Sequence, residues 1–211
     1  MINSVIINSS REIPIEFCLY LDNDYLHNLP LLPKHEFVTY IKLFGPSLPI
    51  STMTNVMYSQ SSGEIIMYCA DDVVFRTPRW DKRVTNELPN PTKEIQMLGP
   101  SDGSRNFPKI ITHGFVTRKM AKTLGYLLPP FFGAEYGDTW LTEIARKSNC
   151  LSIAGDLLIE HMHPNWGKAP SDSLYEARDR DRRSFEDFIL YKMMWKRRKR
   201  EIELLMNTNK L

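Results

Sequence analysis

The sequence predicts one α/β domain, in which helices flank a mostly parallel sheet, followed by a helical extension at the C-terminus. Short apolar runs that end in acidic residues or histidines alternate with segments of helical periodicity, which is the pattern of such a fold. The 211 residues, 42% of them hydrophobic, are enough for one substantial core. We expect the domain to span residues 1–170 and the extension to span residues 171–211.

Composition narrows the class of protein. The net charge of +2 identifies no partner, because the two signs nearly cancel. The three cysteines Cys18, Cys69 and Cys150 are widely spaced, which predicts reduced thiols rather than a disulfide framework. The chain has no apolar run long enough to cross a membrane and no secretory signal pattern. We therefore expect a soluble, cytoplasmic protein without a transmembrane segment.

The first half of the chain contains three predicted strands and two predicted helices. Residues 14–22 form a strand that ends in Asp22-Asn23-Asp24, and residues 37–43 form a second, short strand. Residues 51–61 have helical spacing, with Gly63 as the stop. The apolar run at residues 65–68 predicts a buried parallel strand. Residues 1–8 predict the end of a helix. They are too few to supply both a strand and a crossover helix, so the chain is expected to begin partway into its fold.

The second half begins with a stretch rich in Pro, Asn, Gly, Ser and Asp at residues 85–108, which predicts a loop or lid. The elements predicted after it are a strand at 109–116, a helix at 118–125, a helix opened by Asp138, a strand at 150–159 and a helical segment from 171 to 206. Asp138 at a helix N-terminus is expected to be held ionised by the helix dipole and backbone donors, or to serve only as a helix cap.

Acidic and imidazole side chains follow two of the predicted strands. Asp71 and Asp72 follow the apolar run at 65–68 after Cys69 and Ala70, and His161 and His163 follow the strand at 150–159. Ligands of open α/β sheets bind beyond the carboxyl ends of the strands. Carboxylates with imidazole suit a divalent cation of the Mn²⁺ or Mg²⁺ type. A solvated turn at Asp71-Asp72 is the alternative, and His113 is expected to be a core histidine with a satisfied hydrogen bond.

In this order the segments "EFCLYLDND", "GEIIMYCADDV", "HGFVTR", "GDTWLTEIAR" and "IEHMHPNWGKAPSD" resemble nucleotide-sugar glycosyltransferases of the GT-A fold, of the small, inverting family-2-like type found in phages and bacteria. The similarity spans roughly residues 3–180. It implies a metal-dependent enzyme that transfers a sugar from a nucleotide-sugar donor to an acceptor, with inversion. The donor sugar and the acceptor stay open.

The resemblance also implies roles for individual residues. Asp22 matches the acid that contacts the nucleotide base, and Asp24 lies beside it. Asn55 matches the segment under the donor diphosphate. In addition, Asp72 matches the acid that often follows the metal-binding motif.

The metal and catalytic roles fall on four further residues. Asp71 matches the second, metal-binding acid of the Asp-x-Asp motif. His161 or His163 matches a later metal ligand near the leaving diphosphate. Asp138 matches the general base that deprotonates the acceptor hydroxyl.

Two departures from the family pattern leave alternatives open. Cys69 stands where the first acid of the Asp-x-Asp motif would be, and nothing matches the family's first strand with its nucleotide-cradling segment. A non-catalytic binding or assembly module with the same fold is one alternative. A metal-dependent hydrolase that uses the same acids and histidines is the other.

A basic run, Lys196-Arg-Arg-Lys-Arg200, lies in the predicted C-terminal helices beside Trp195. A solvated terminal helix is the simplest interpretation. Contact with phosphates of nucleic acid, including modified DNA as the acceptor, or with an anionic surface is the alternative to a glycan acceptor.

Overall fold

The computed structural model describes residues 1–23, 31–170 and 183–209, so Asp24 and the first part of the C-terminal extension lie outside the described residues. The helices described are α1 (Ile2–Ile7), α2 (Ile50–Gln60), α3 (Trp80–Glu87), α4 (Arg118–Leu124), α5 (Gly137–Lys147), α6 (Arg183–Met193) and α7 (Trp195–Thr208). The strands described are β1 (Ile15–Asp22), β2 (Val38–Gly45), β3 (Ile65–Tyr68), β4 (Val73–Phe75), β5 (Met97–Ser101), β6 (Gly114–Thr117) and β7 (Leu151–His161).

The strands form a mixed five-stranded sheet and a separate parallel pair. The larger sheet has the order β3-β6-β5-β7-β4, in which only β5 and β7 are parallel neighbours. β1 and β2 pair in parallel and are not hydrogen-bonded to the larger sheet in the described part of the chain. The α/β class is therefore confirmed, but the mostly parallel sheet is not. An apolar run predicts burial and leaves the strand's direction open, and β3 lies antiparallel to β6.

Most predicted elements lie where the sequence pattern put them. The predicted strands at 14–22, 37–43 and 150–159 are β1, β2 and β7, and the predicted helices at 1–8, 51–61 and 118–125 are α1, α2 and α4. The strand predicted at 109–116 is shorter, because it begins only at Gly114. β4 was not predicted at all, since its three residues follow Asp72 too closely to form a separate pattern.

The prediction of a loop or lid at 85–108 is wrong in part, because only residues 88–96 and 102–108 are irregular. This region contains the end of α3 and the whole of β5, an interior strand of the larger sheet, in which Met97 and Leu98 are fully buried. Gly99 and Pro100 gave this stretch the composition of a loop. Gly99 is required here by packing, because a Cβ atom at this position would lie 2.5 Å from Cδ1 of Ile111.

Apolar side chains pack on both faces of the larger sheet. Successive residues of β5 point to opposite faces, and Met97 and Leu98 accordingly belong to two different buried clusters. One cluster includes Trp140 of α5, and the other includes Phe17 of β1. The parallel pair is thus attached to the domain mainly by side-chain packing. Glu16 of β1 adds a polar link, because its carboxylate accepts hydrogen bonds from the Ser62 amide and hydroxyl, just before β3.

Helix α1 covers the free edge of β4. The Phe75 amide donates to the Ser4 hydroxyl over 3.1 Å, and the Phe75 carbonyl accepts from the Asn8 amide group over 2.7 Å. The indole of Trp80 donates to the Val5 carbonyl over 3.0 Å. An edge strand whose backbone groups are already bonded cannot recruit another strand, so α1 protects this edge of the sheet.

A buried carboxylate helps to hold helix α7 against the core. Glu201, which is 8% exposed, accepts hydrogen bonds from the Tyr126 hydroxyl (2.5 Å) and the Trp140 indole (2.7 Å), and it pairs with Arg197 (3.0 Å). Both aromatic side chains belong to the buried core. Their polar atoms therefore depend on Glu201 for a partner. No helix in the described ranges is long and apolar enough to cross a membrane.

We predict that Glu201→Ala lowers the free energy of unfolding by roughly 2–5 kcal/mol, because two buried donors lose their acceptor. Urea denaturation measures this change. Glu203→Ala is the matched control: Glu203 is exposed and only weakly paired, with 3.9 Å to Lys199, so its loss should cost less than about 0.5 kcal/mol. Equal effects of the two substitutions would contradict the anchoring role of Glu201.

Candidate functional site

Strand register brings three segments of the chain together. Tyr68 at the end of β3 lies opposite Gly114 at the start of β6, and Val73 of β4 lies opposite His161 at the end of β7. The Asp72 carbonyl accepts a hydrogen bond from the Met162 amide over 2.8 Å. The residues that follow β3 and β7 therefore meet, as the sequence analysis expected of the acids and histidines.

Asp72 and His161 form an acid–imidazole pair. Nε2 of His161 lies 3.1 Å from both carboxylate oxygens of Asp72, although the two residues are 89 positions apart in the chain. The His161 side chain is buried and that of Asp72 is partly buried. A carboxylate in this position orients the ring and favours the proton on Nε2. Nδ1 of His161 is buried and has no hydrogen-bond partner among the described residues.

Two further histidines and a tryptophan surround this pair. The His161 ring centroid lies 4.5 Å from that of His113, 5.1 Å from that of His163 and 5.1 Å from that of Trp166. We call these four aromatic residues and Asp72 the strand-end cluster. Its members come from the ends of β3 and β7, from the residue before β6 and from the turn after β7, so the fold assembles it from distant parts of the sequence.

His113 is the member of the strand-end cluster that sequence reasoning missed. It is 3% exposed, and neither of its ring nitrogens has a hydrogen-bond partner in the described part of the chain. The expected core hydrogen bond is therefore not found. Burial, and after it the neighbouring His161, lowers the pKa of His113 to about 3, so its ring is neutral at physiological pH. Nothing in the sequence around "THGF" distinguishes this histidine from one that only packs.

The donor chemistry of the strand-end cluster fits a divalent cation. Carboxylate oxygens and neutral imidazole nitrogens are ligands of such ions, and the unpartnered nitrogens of His113 and His161 are the kind of buried polar atoms that a bound group satisfies. Within residues 1–23, 31–170 and 183–209, no three His, Cys, Asp or Glu side chains are already arranged around a point where an ion would bind. Binding would require side chains of the cluster to rotate.

Asp71 lies beside the strand-end cluster and is exposed, as is Cys69 two residues earlier. Asp72, in contrast, is partly buried and bonded to His161. The two adjacent acids thus differ in environment. Asp71 is open to an incoming ligand, whereas Asp72 orients an imidazole.

Asp138 lies in the first turn of α5, which begins at Gly137 after Tyr136 as the N-cap residue. The interpretation of Asp138 as the helix cap is therefore wrong by two positions. Its Oδ1 accepts from the Thr139 amide over 2.6 Å and from the Thr139 hydroxyl over 3.3 Å. Burial raises the pKa of Asp138 and outweighs these hydrogen bonds, which is opposite to the direction expected from its place at a helix N-terminus.

A chain of hydrogen bonds positions the N-terminus of α5 near the end of β3. The Tyr68 hydroxyl donates to the Ile111 carbonyl over 2.8 Å, and the Ile111 amide donates to the Thr142 hydroxyl over 3.0 Å. That hydroxyl donates in turn to the Asp138 carbonyl over 2.7 Å. Burial, and after it the charge of Asp138, raises the pKa of Tyr68. Asp138 therefore lies within electrostatic reach of the strand that Asp71 and Asp72 follow.

The two residues expected on the nucleotide side lie in other surroundings. Asp22 ends β1, in the parallel pair rather than in the larger sheet. The Asn55 side chain on α2 accepts from the Leu127 and Leu128 amides (2.8 and 3.2 Å) and donates to the Leu128 carbonyl (2.6 Å). Its amide group is thus engaged with the backbone of a loop. Asp24 lies outside the described residues.

We predict that Asp138→Asn raises the free energy of unfolding at pH 7. The neutral amide keeps an oxygen for the Thr139 amide and avoids the burial of a charge. A carboxyl whose folded-state pKa lies above its unfolded value loses stability as pH rises from the unfolded to the folded pKa. The gain should therefore be present at pH 7 and shrink as pH falls through the folded-state pKa. Urea denaturation of both proteins from pH 4 to pH 8 measures it.

Asp156→Asn is the control of opposite sign. The pKa of Asp156 is lowered, first by its hydrogen bond from Arg83, so removal of this charge should slightly destabilise the protein at pH 7. A loss of stability in Asp138→Asn, or a difference that does not change with pH, would contradict the environment described for Asp138.

The comparisons with known proteins give no independent guide to this site. No family model matches the chain, and no curated protein or solved structure shows significant similarity to it. The functional argument therefore rests on the residues and distances described above.

Proposed function

We propose that the protein is a metal-dependent glycosyltransferase that transfers a sugar from a nucleotide-sugar donor to an acceptor hydroxyl with inversion. In this proposal the sheet is a GT-A-like one and the reaction takes place beyond the ends of β3 and β7. The observation that carries the proposal is the 3.1 Å contact between Asp72 and His161, two residues that only the folded chain brings together. A solvated turn after β3 would have no reason to meet a buried histidine.

In this proposal Asp71, His161 and His163 hold a divalent cation, and Asp72 orients the ring of His161. When bound, the cation would stabilise the negative charge that develops on the leaving diphosphate and would orient the donor. Asp71 supports this role because it is exposed and needs no rearrangement to accept a ligand. His113 adds a neutral imidazole whose ring nitrogens have no partner in the described residues.

Asp138 would act as the general base that takes the proton of the acceptor hydroxyl. A base works best when its pKa lies near the operating pH, and burial moves the pKa of Asp138 upward, in that direction. The hydrogen-bond chain through Thr142 and Ile111 would hold the base at a set place relative to the end of β3. The reaction rate falls steeply when a catalytic base is displaced, so these hydrogen bonds would keep Asp138 in position.

Asp22 would contact the nucleotide base in this proposal, with Asp24 beside it. Asn55 would act indirectly, since its amide group holds the loop at residues 127–128 that leads toward α5. Its substitution should therefore disturb the placement of α5 as well as that of the donor.

A binding or assembly module without turnover is the second candidate. Cys69 in place of a first acid favours it, and so does the lack of a preformed three-ligand group in the described ranges. A metal-dependent hydrolase would use the same side chains and would need no nucleotide.

We predict that Mn²⁺ together with a nucleoside diphosphate raises the melting temperature more than either does alone. Ligand at a hundredfold excess over its Kd stabilises the folded state by roughly 2.7 kcal/mol. Asp71→Asn should abolish the Mn²⁺-dependent part because it removes the charge and keeps the side-chain shape. Thermal shift with a panel of nucleoside diphosphates measures both effects.

Asp156→Asn is the matched control here, since Asp156 is an exposed aspartate of β7 in a surface pair with Arg83. It should keep the full shift. A shift that Mn²⁺ produces and that no nucleoside diphosphate increases favours the hydrolase. No shift with any combination, or an equal loss in both aspartate variants, contradicts the proposed transferase.

A further inference from the structure

The exposed apolar side chains of the protein concentrate on the two C-terminal helices. Thirteen large apolar residues are exposed in the described part of the chain, and seven of them lie on α6 and α7. These two helices together have only 25 residues. Met193 is 72% exposed, Phe185 67% and Trp195 54%. Scattered exposed apolar residues are normal, but such a concentration on one element marks an interaction surface.

Five of these seven residues share one face with basic side chains. Helices α6 and α7 follow each other almost without a break, because the Met194 amide still bonds to Leu190 and the Arg198 amide to Met194. Steps of three and four residues along them therefore follow one side of a helix. We call this side the outer face; its members are Phe185, Phe188, Ile189, Lys192, Met193, Trp195, Lys196, Lys199, Arg200 and Glu203.

The opposite side of the same helices packs on the domain. Asp187 accepts hydrogen bonds from the Gly133, Ala134 and Glu135 amides, and Glu201 and Leu205 are buried. The outer face thus points away from the core, and contacts with the domain on the other side hold it in place.

The basic run divides into two groups. Arg198 is buried against Glu143 (2.8 Å), and Arg197, although 47% exposed, pairs with Glu201 (3.0 Å), so both are engaged by carboxylates of the protein itself. Lys196, Lys199 and Arg200 line a shallow depression of about 250 Å³ together with Trp195 and Glu203. These three cations of the run lie on the outer face and are exposed.

We propose that the outer face binds the surface of an anionic lipid bilayer, with the helices lying in the plane of the interface. The apolar side chains of α6 would enter the boundary between headgroups and acyl chains, and the cations of α7 would contact lipid phosphates. An amphipathic helix with apolar and aromatic residues beside Lys and Arg has the chemistry for this position. Trp195 is suited to the headgroup level, because its ring has an apolar body and a polar N–H and this level borders both acyl chains and water.

Charge and apolarity together favour this partner over two others. A nucleic-acid backbone would use the three cations but would leave Phe185, Ile189 and Met193 in water. A second copy of the chain would cover the apolar residues but would bring the cations of two outer faces together. An anionic bilayer offers apolar depth and negative charge on the same surface.

Vesicle sedimentation tests the proposal with the full chain. Vesicles of equal parts phosphatidylcholine and phosphatidylglycerol should bind the protein, and vesicles of phosphatidylcholine alone should bind it far less. The variant Lys196→Gln/Lys199→Gln/Arg200→Gln should bind the anionic vesicles roughly a hundredfold less, because each basic side chain near such a surface adds about fivefold. The matched control is Lys34→Gln/Lys42→Gln/Lys122→Gln, three exposed lysines elsewhere on the protein, which should bind as the unmodified chain does.

Two further readouts separate lipid contact from other partners. Trp195 fluorescence should shift to shorter wavelength with anionic vesicles, and Ile189→Gln/Met193→Gln should remove this shift while circular dichroism stays unchanged. Equal binding to neutral and anionic vesicles, or no binding, overturns the proposal. Two other outcomes also overturn it. One is that the unmodified chain binds duplex DNA but no vesicles, and the triple Gln variant loses the DNA binding. The other is that Ile189→Gln/Met193→Gln converts a dimer into a monomer.

Discussion

The register of the larger sheet is the constraint on which the candidate site depends. Val73 opposite His161 and Tyr68 opposite Gly114 place the residues after β3, before β6 and at the end of β7 in one location. A slip of one residue in either pairing would turn His161 or His113 to the other face of the sheet. The same register puts Met97 and Leu98 of β5 into the two apolar clusters. Packing on both faces therefore stabilises the geometry that the polar residues require.

The strand-end cluster costs stability where it is assembled. Buried nitrogens of His113 and His161 have no hydrogen-bond partner among the described residues, which costs free energy, and outside the cluster the burial of Asp138 disfavours its charged form. Other buried carboxylates are well satisfied, such as Glu201, which serves two buried donors, and Asp187, which serves three backbone amides. Strained polar groups beside well-satisfied ones are the usual arrangement of a functional site in a stable scaffold.

Local patterns in the sequence were enough to predict most elements but not their directions. Helical spacing located α2, α4 and α5, and apolar runs located β1, β3 and β7. The antiparallel pairing of β3 with β6 could not be predicted, because an apolar run has the same pattern in either direction. β5 was missed because Gly99 and Pro100 have the composition of a loop, whereas Gly99 is needed for the close approach of Ile111.

The site was predictable to a similar extent. Asp72 and His161 follow strands, so their meeting could be expected from sequence order. His113 could not be assigned, because tertiary contacts decide whether its ring nitrogens find a partner, and they find none among the described residues. The environment of Asp138 could not be predicted for the same reason. Its position in the first turn of a helix indicates a stabilised charge, but burial decides the direction in which its pKa shifts.

Paramagnetic broadening of histidine resonances by Mn²⁺ tests the central claim most directly, since it reports where the cation binds. The account predicts that substoichiometric Mn²⁺ broadens the imidazole signals of His161 and His163 first. The signal of His35, an exposed histidine next to β2, should stay sharp, and Asp71→Asn should restore the broadened signals. Broadening of His35 at the same Mn²⁺ concentration, or sharp signals at all three histidines, would contradict a metal centre at the ends of β3 and β7.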